Sequence, residues 1–256
     1  MANGAAPNSS GDNSAFSQSK RRALVEIAIG YGLIMAVIWT PRPLQRWLWI
    51  VAVLGIAIMT CLSFPGLKAM GLRTENFFRS LWIPVVALAM AAVAIAIASE
   101  LHTLHLPDPP PVGLAHWGPL PAMFILFVET YWAYAIWTFV QQFLMQCFFL
   151  LRLLRVLSNP RSAAFAAAGL FALAHLPNPI LAPVTLIWGF AACLLFIRYR
   201  SLYPLAIAHA IFGISIAITV PGPVIHNMRV GLGYLTYGHR HRPAHLFQPQ
   251  GPDRVH

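Results

Sequence analysis

Phe139-Val140-Gln141-Gln142-Phe143-Leu144-Met145-Gln146-Cys147-Phe148-Phe149-Leu150 sets three glutamines in an otherwise apolar run. The run lies inside a longer apolar stretch, residues 122–151, which exceeds the roughly 20 residues that cross a bilayer. An amide in hydrocarbon has no water to bond, so its side chain faces the protein interior or a cavity. The stretch therefore predicts a membrane protein with a polar interior, and it marks where chemistry would occur.

The rest of the chain fits that solvent. It has 256 residues, of which 58% are hydrophobic and 9% charged, whereas soluble domains carry about 25% charged residues. Seven apolar spans can be read, over residues 23–40, 47–64, 81–99, 122–151, 163–175, 180–197 and 202–220. The fourth is too long for one perpendicular crossing, so it is either a tilted helix or two helices broken near Gln141. Asn159-Pro160 reads as a turn before the fifth, and an eighth helix has room in that stretch. The fold class expected is all-α: a polytopic membrane bundle of seven to eight transmembrane helices around an intramembrane polar cavity. Residues 1–22 read as a disordered cytoplasmic tail, 23–220 as the membrane domain, and 221–256 as a polar tail.

Positive charge sets the orientation. Lys20, Arg21 and Arg22 precede the first span, and Lys68, Arg73 and Arg79 follow the second. Arg152, Arg155 and Arg161 follow the fourth, and Arg198 and Arg200 the sixth. The positive-inside rule places all of them, and the N-terminus, in the cytoplasm. Arg42, Arg46, Arg229, Arg240 and Arg242 count against it. The Pro107-Asp108-Pro109-Pro110-Pro111 loop carries no Lys or Arg and reads as extended. The net charge of +10 is spread over span ends, which favours a lipid bilayer as partner over nucleic acid. Cys61, Cys147 and Cys193 sit in apolar runs without paired spacing and read as small buried hydrophobes.

Depth brings polar residues from three spans to one layer. Gln141 lies 11 residues before Arg152, His175 lies 14 after Arg161, and His209 lies 9 after Arg200. At about 1.5 Å per residue these become depths of roughly 13–21 Å, in a core about 30 Å thick. Of ten histidines, only His175 and His209 fall within or at the end of a span. Gln142 and Gln146, four apart, share a helix face, and Gln141 points about 100° away. The plain alternative is that the glutamines act as interhelical hydrogen-bonding glue. Glu129 and Glu26 are the acids nearest the membrane. Glu129 lies 12 residues before Gln141, about 18 Å along a continuous helix. Glu26 lies near a span end, where snorkelling suffices. His239-Arg240-His241-Arg242 with His245 reads as a solvated basic tail rather than a metal site, and no cofactor or metal is expected.

These residues carry a resemblance. The chain resembles the CAAX prenyl protease 2 and bacteriocin-processing family of intramembrane endopeptidases, whose motifs are Glu-Glu-x-x-x-Arg, Phe-x-x-x-His and His-x-x-x-Asn or Asp. The second motif is intact as Phe171-Ala172-Leu173-Ala174-His175, and the third begins at His209. The resemblance covers residues 139–218. It implies a site made of Gln141, Gln142, His175 and His209, supported by Gln146, Phe171 and Gly213. It departs from the family at the first motif, where Gln141, Gln142 and Gln146 replace Glu, Glu and Arg, and at Gly213, which replaces Asn or Asp. An amide cannot act as the base that a tuned carboxylate can be. Three functions stay open: a peptidase with altered chemistry acting on a prenylated or leader peptide, a non-catalytic lipid- or peptide-binding protein on the same scaffold, and a structural membrane component.

Overall fold

The computed structural model describes residues 9–64, 66–105 and 119–237. The chain runs through α1 (Ser9–Trp39), α2 (Leu44–Ser63), α3 (Trp82–Glu100), α4 (Pro119–Gln142), a π-helix (Phe143–Leu150), α5 (Leu151–Val156), α6 (Pro160–Leu173), α7 (Leu181–Tyr199) and α8 (Tyr203–Thr219). Two short helices follow, α9 (Gly222–Ile225) and α10 (Gly231–Leu235). No strand occurs among the described residues, only an isolated bridge between Leu72 and Ser201.

All seven apolar segments read from the sequence are helical. Five helices are long and apolar enough to cross a membrane: Ser17–Trp39, Leu44–Ser63, Phe78–Glu100, Phe127–Val156 and Leu181–Tyr199. α8 is apolar but has 17 residues, and α6 has 14. At 1.5 Å per residue α6 extends only about 21 Å, so it ends inside the bundle. The fourth segment is one helix without a break at Gln141; its backbone passes into π geometry immediately after Gln142. No eighth helix precedes His175. The chain turns at 157–159, and Asn159 Oδ1 accepts from the Arg161 amide at 2.8 Å, with Pro160 opening α6.

Two terminal segments differ from expectation. Residues 9–22 extend α1 instead of forming an unstructured tail; lengthening an existing helix is far easier than nucleating a new one. Beyond 220 the chain does not trail away. The Asn178 amide donates to the carbonyls of Ile225 and Arg229, and the Gly231 amide donates to Leu176 O at 2.9 Å. The Pro-rich loop and the His239–His245 cluster lie outside the described residues.

The helices run back and forth between two faces. One face gathers Arg22, Ser63, Arg73, Arg155, Tyr199 and Ser201 through contacts such as Arg155 Nη2 to Ser63 O at 3.1 Å and Ser201 Oγ to Arg73 O at 2.9 Å. The other joins the ends of α3 and α8, where Thr103 Oγ1 donates to Thr219 O and the His105 amide to Ile218 O. Ala163, Ala164, Ala167 and Ala168 of α6 pack on Gly189, Ala192 and Cys193 of α7. A β-carbon at Gly189 would press to 3.3 Å from Ala168, so the two backbones approach closely, as small residues permit in membranes. Leu62, Leu88, Val93 and Ile187 point outward; such apolar exteriors suit lipid contact. Cys147 and Cys193 are buried, but Cys61 is exposed on α2, contrary to expectation.

Glu26 does not snorkel. It is 8% exposed and its Oε2 accepts from Arg152 Nε at 2.7 Å. Arg152, 0% exposed, also donates to Phe148 O and Met59 O and lies 3.9 Å from the centroid of the Phe148 ring. The pair ties α1 to α5 and α2, and it explains how a guanidinium tolerates full burial.

Candidate active site

Three helices deliver polar side chains to one place in the bundle. α4 ends in Gln141 and Gln142, α6 ends two residues before His175, and α8 carries His209 at its middle. Gln142 is fully buried, and its Nε2 lies 2.9 Å from His209 Nδ1. An amide NH₂ can only donate, so Nδ1 accepts and neutral His209 carries its proton on Nε2.

His175 takes the opposite tautomer for a reason rooted in helix geometry. The last carbonyls of a helix lack intrahelical partners. The His175 amide bonds to Ala172 O at 2.9 Å, which leaves Phe171 O free for the imidazole. Nδ1 reaches that oxygen at 2.7 Å. A carbonyl only accepts, so Nδ1 bears the proton and Nε2 of the neutral ring keeps its lone pair. Phe171 meets both rings, with centroids 4.6 Å from His175 and 6.0 Å from His209. Trp188 packs 6.1 Å from His209 on its other side.

His175, His209, Phe171 and Trp188 border a cavity of about 1470 Å³. Its wall is largely apolar and runs from Thr60 and Met70 near the basic face to Gln45 and Met228 near the opposite one. Gln141, His175, His209 and Gly213 all line it, as do Tyr134 and Ser215. Among the described residues that line it there is no Asp or Glu. Such a chamber suits a long apolar chain with one polar group held at the histidines.

The structure thus brings Gln141, Gln142, His175, His209, Phe171 and Gly213 together. Gln146 stands apart. It is fully buried, both its amide atoms lack a partner among the described residues, and it does not line the cavity. Gln142 is likewise fully buried and off the cavity wall, whereas Gln141 lines it. The π-helix begins directly after Gln142, and the Leu151 amide bonds to Gln146 O, five residues back. Glu129 is exposed on α4, away from the site.

Two contributors were not singled out in the sequence. Tyr134 sits seven residues before Gln141, on the same face of α4. Asn178 follows His175 in the α6–α7 turn, 1% exposed, and its Oδ1 accepts the amides of Ile180 and Leu181. Among the described residues no group of three or more His, Cys, Asp or Glu could hold a metal ion.

No curated protein and no solved structure matches the chain. Residues 127–215 match the family model for type II CAAX prenyl endopeptidases of the Rce1-like kind, a segment that runs from α4 into α8 and holds every residue of the site just described. Through that segment the chain is similar to the Rce1-like CAAX protease family, over about a third of its length.

Proposed function

We propose that this protein hydrolyses a prenylated or leader-type peptide inside the membrane with a histidine pair in place of a carboxylate base. The observation that carries the reading is the pair of Nδ1 contacts, His209 with the Gln142 amide nitrogen and His175 with the Phe171 carbonyl, which favour opposite tautomers. His175 Nε2 takes a proton from water as the water oxygen attacks the scissile carbonyl carbon. The carbonyl oxygen gathers negative charge and receives the Nε2–H of His209, with the Gln141 amide as a second donor. His175 then returns its proton to the departing amine nitrogen as the C–N bond breaks. Gln142 fixes the His209 tautomer, as the third member of a catalytic triad fixes its histidine. The apolar remainder of the cavity accommodates the lipid or apolar side chains.

A second reading has its own observation: no Asp or Glu stands among the described residues of the cavity wall. On it the same chamber binds the lipid or peptide without cleaving it. One series separates the two. Purified protein is assayed for cleavage of a farnesylated peptide and a leader-type peptide. Hydrolysis by wild type is expected to fall about 10²–10⁴-fold in His175→Ala, the usual contribution of a general base. Undiminished cleavage in His175→Ala would sink the histidine mechanism. Cleavage by Gln141→Glu/Gln142→Glu alone, with an inert wild type, means a scaffold with a silent site, as the second reading requires.

A further inference from the structure

Tyr134 and Gly213 form a matched pair across the α4–α8 contact. Tyr134 lies on the Gln141 face of α4, nearly two turns earlier. Gly213 lies one turn beyond His209, on the same face of α8. A β-carbon on Gly213 would collide with Tyr134 Oη and with ring atoms Cζ and Cε1. Glycine is disfavoured inside a helix, and here it leaves the space into which the phenol projects. The hydroxyl therefore stands where a side chain at 213 would begin, roughly 5–6 Å from the His209 β-carbon by the spacing of neighbouring turns. Tyr134 lines the cavity, and no hydrogen bond to another described residue holds its hydroxyl.

We propose that Tyr134 is a substrate-binding residue: its hydroxyl, admitted by Gly213, donates a hydrogen bond to a backbone carbonyl of the peptide lying against His209. The proposal rests on reading the cavity as a peptide site. A phenol suits the task because it presents a strong donor on an apolar body and brings no charge into the membrane. The ligand class is an uncharged amide carbonyl attached to an apolar chain. Farnesol, which has the chain without the carbonyl, would not use Tyr134.

Full-length protein in detergent micelles is titrated with a fluorescent farnesylated tetrapeptide and, by competition, with farnesol, and thermal midpoints are recorded alongside. Tyr134→Phe is expected to weaken the peptide about three- to tenfold, as loss of one hydrogen bond does, with farnesol affinity and thermal midpoint unchanged. Gly213→Asn displaces the phenol and weakens the peptide likewise. Tyr134→Ala/Gly213→Asn recovers peptide affinity, because the new amide occupies the freed space. Tyr134→Phe deletes a single oxygen and decides the matter should Gly213→Asn not fold. Equal affinity of wild type and Tyr134→Phe for the peptide overturns the assignment, and so does an equal loss of both probes, which would make Tyr134 a packing residue. A wild type that binds neither probe overturns the peptide-site reading beneath it.

Discussion

At Arg152 a full charge is buried where the sequence placed a loop cation. Its position beside Arg155 made it look like one more positive residue at a span end, and nothing local distinguishes the two. The difference arises from α1, which sets Glu26 at 2.7 Å from Arg152, with Ser63 and Arg22 also bonding the carboxylate. Breaking one side of such a pair leaves an uncompensated ion, at a cost of about 3–5 kcal/mol, whereas replacing both with apolar groups is often close to neutral. Glu26→Leu is therefore expected to lower the thermal midpoint in detergent sharply, and Glu26→Leu/Arg152→Met to regain most of the loss. A double variant as unstable as the single one would mean that the carboxylate and the guanidinium act separately.

The elements themselves were legible for a simple reason. Each apolar run is bounded by charged or Pro-containing turns, and Asn159-Pro160 marks a helix start by its own chemistry. Convergence of His175, His209 and the glutamines was legible too, because basic span ends supply a common origin for measuring depth. Three things were not. The π-helix leaves no mark in residue type. The role of Tyr134 depends on a missing atom in another helix. The hold on residues 221–237 comes from Asn178 and the Leu176 carbonyl in a distant turn, while the segment's own Pro and Gly content resembles a free tail. Asn178 makes four hydrogen bonds there, two to the start of α7 and two to the C-terminal segment. Asn178→Ala strands the buried Ile225 carbonyl, at about 1–3 kcal/mol, and frees the part-buried Arg229 carbonyl. Trypsin cleavage after Arg229 in the native protein should then accelerate severalfold or more by that cost. A cleavage rate equal to wild type would show that the segment is held by its apolar contacts instead.

For the whole molecule, the distribution of charge between the two faces predicts an orientation. Lys68, Arg73, Arg155, Arg161, Arg198 and Arg200 lie at one end of the helices, together with the positively charged start of α1. The opposite end holds Arg42, Arg46 and Arg229 among the described residues. The positive-inside rule counts basic residues close to span ends, and the surplus predicts that the first face is cytoplasmic. The same prediction puts residues 221–237 outside, because they dock on the α6–α7 turn and the end of α8, both at the second face. The arginines of that segment oppose the rule, so this part of the topology is the more informative to measure. Ser17 and His105 are exposed and belong to opposite faces. With the exposed Cys61 first changed to Ser, cysteines are introduced singly as Ser17→Cys and His105→Cys. A membrane-impermeant maleimide applied to intact cells is expected to label the His105→Cys protein, and the Ser17→Cys protein only after lysis. The reverse pattern would invert the molecule and bring Tyr134 and the docked C-terminal segment to the cytoplasmic side of the site.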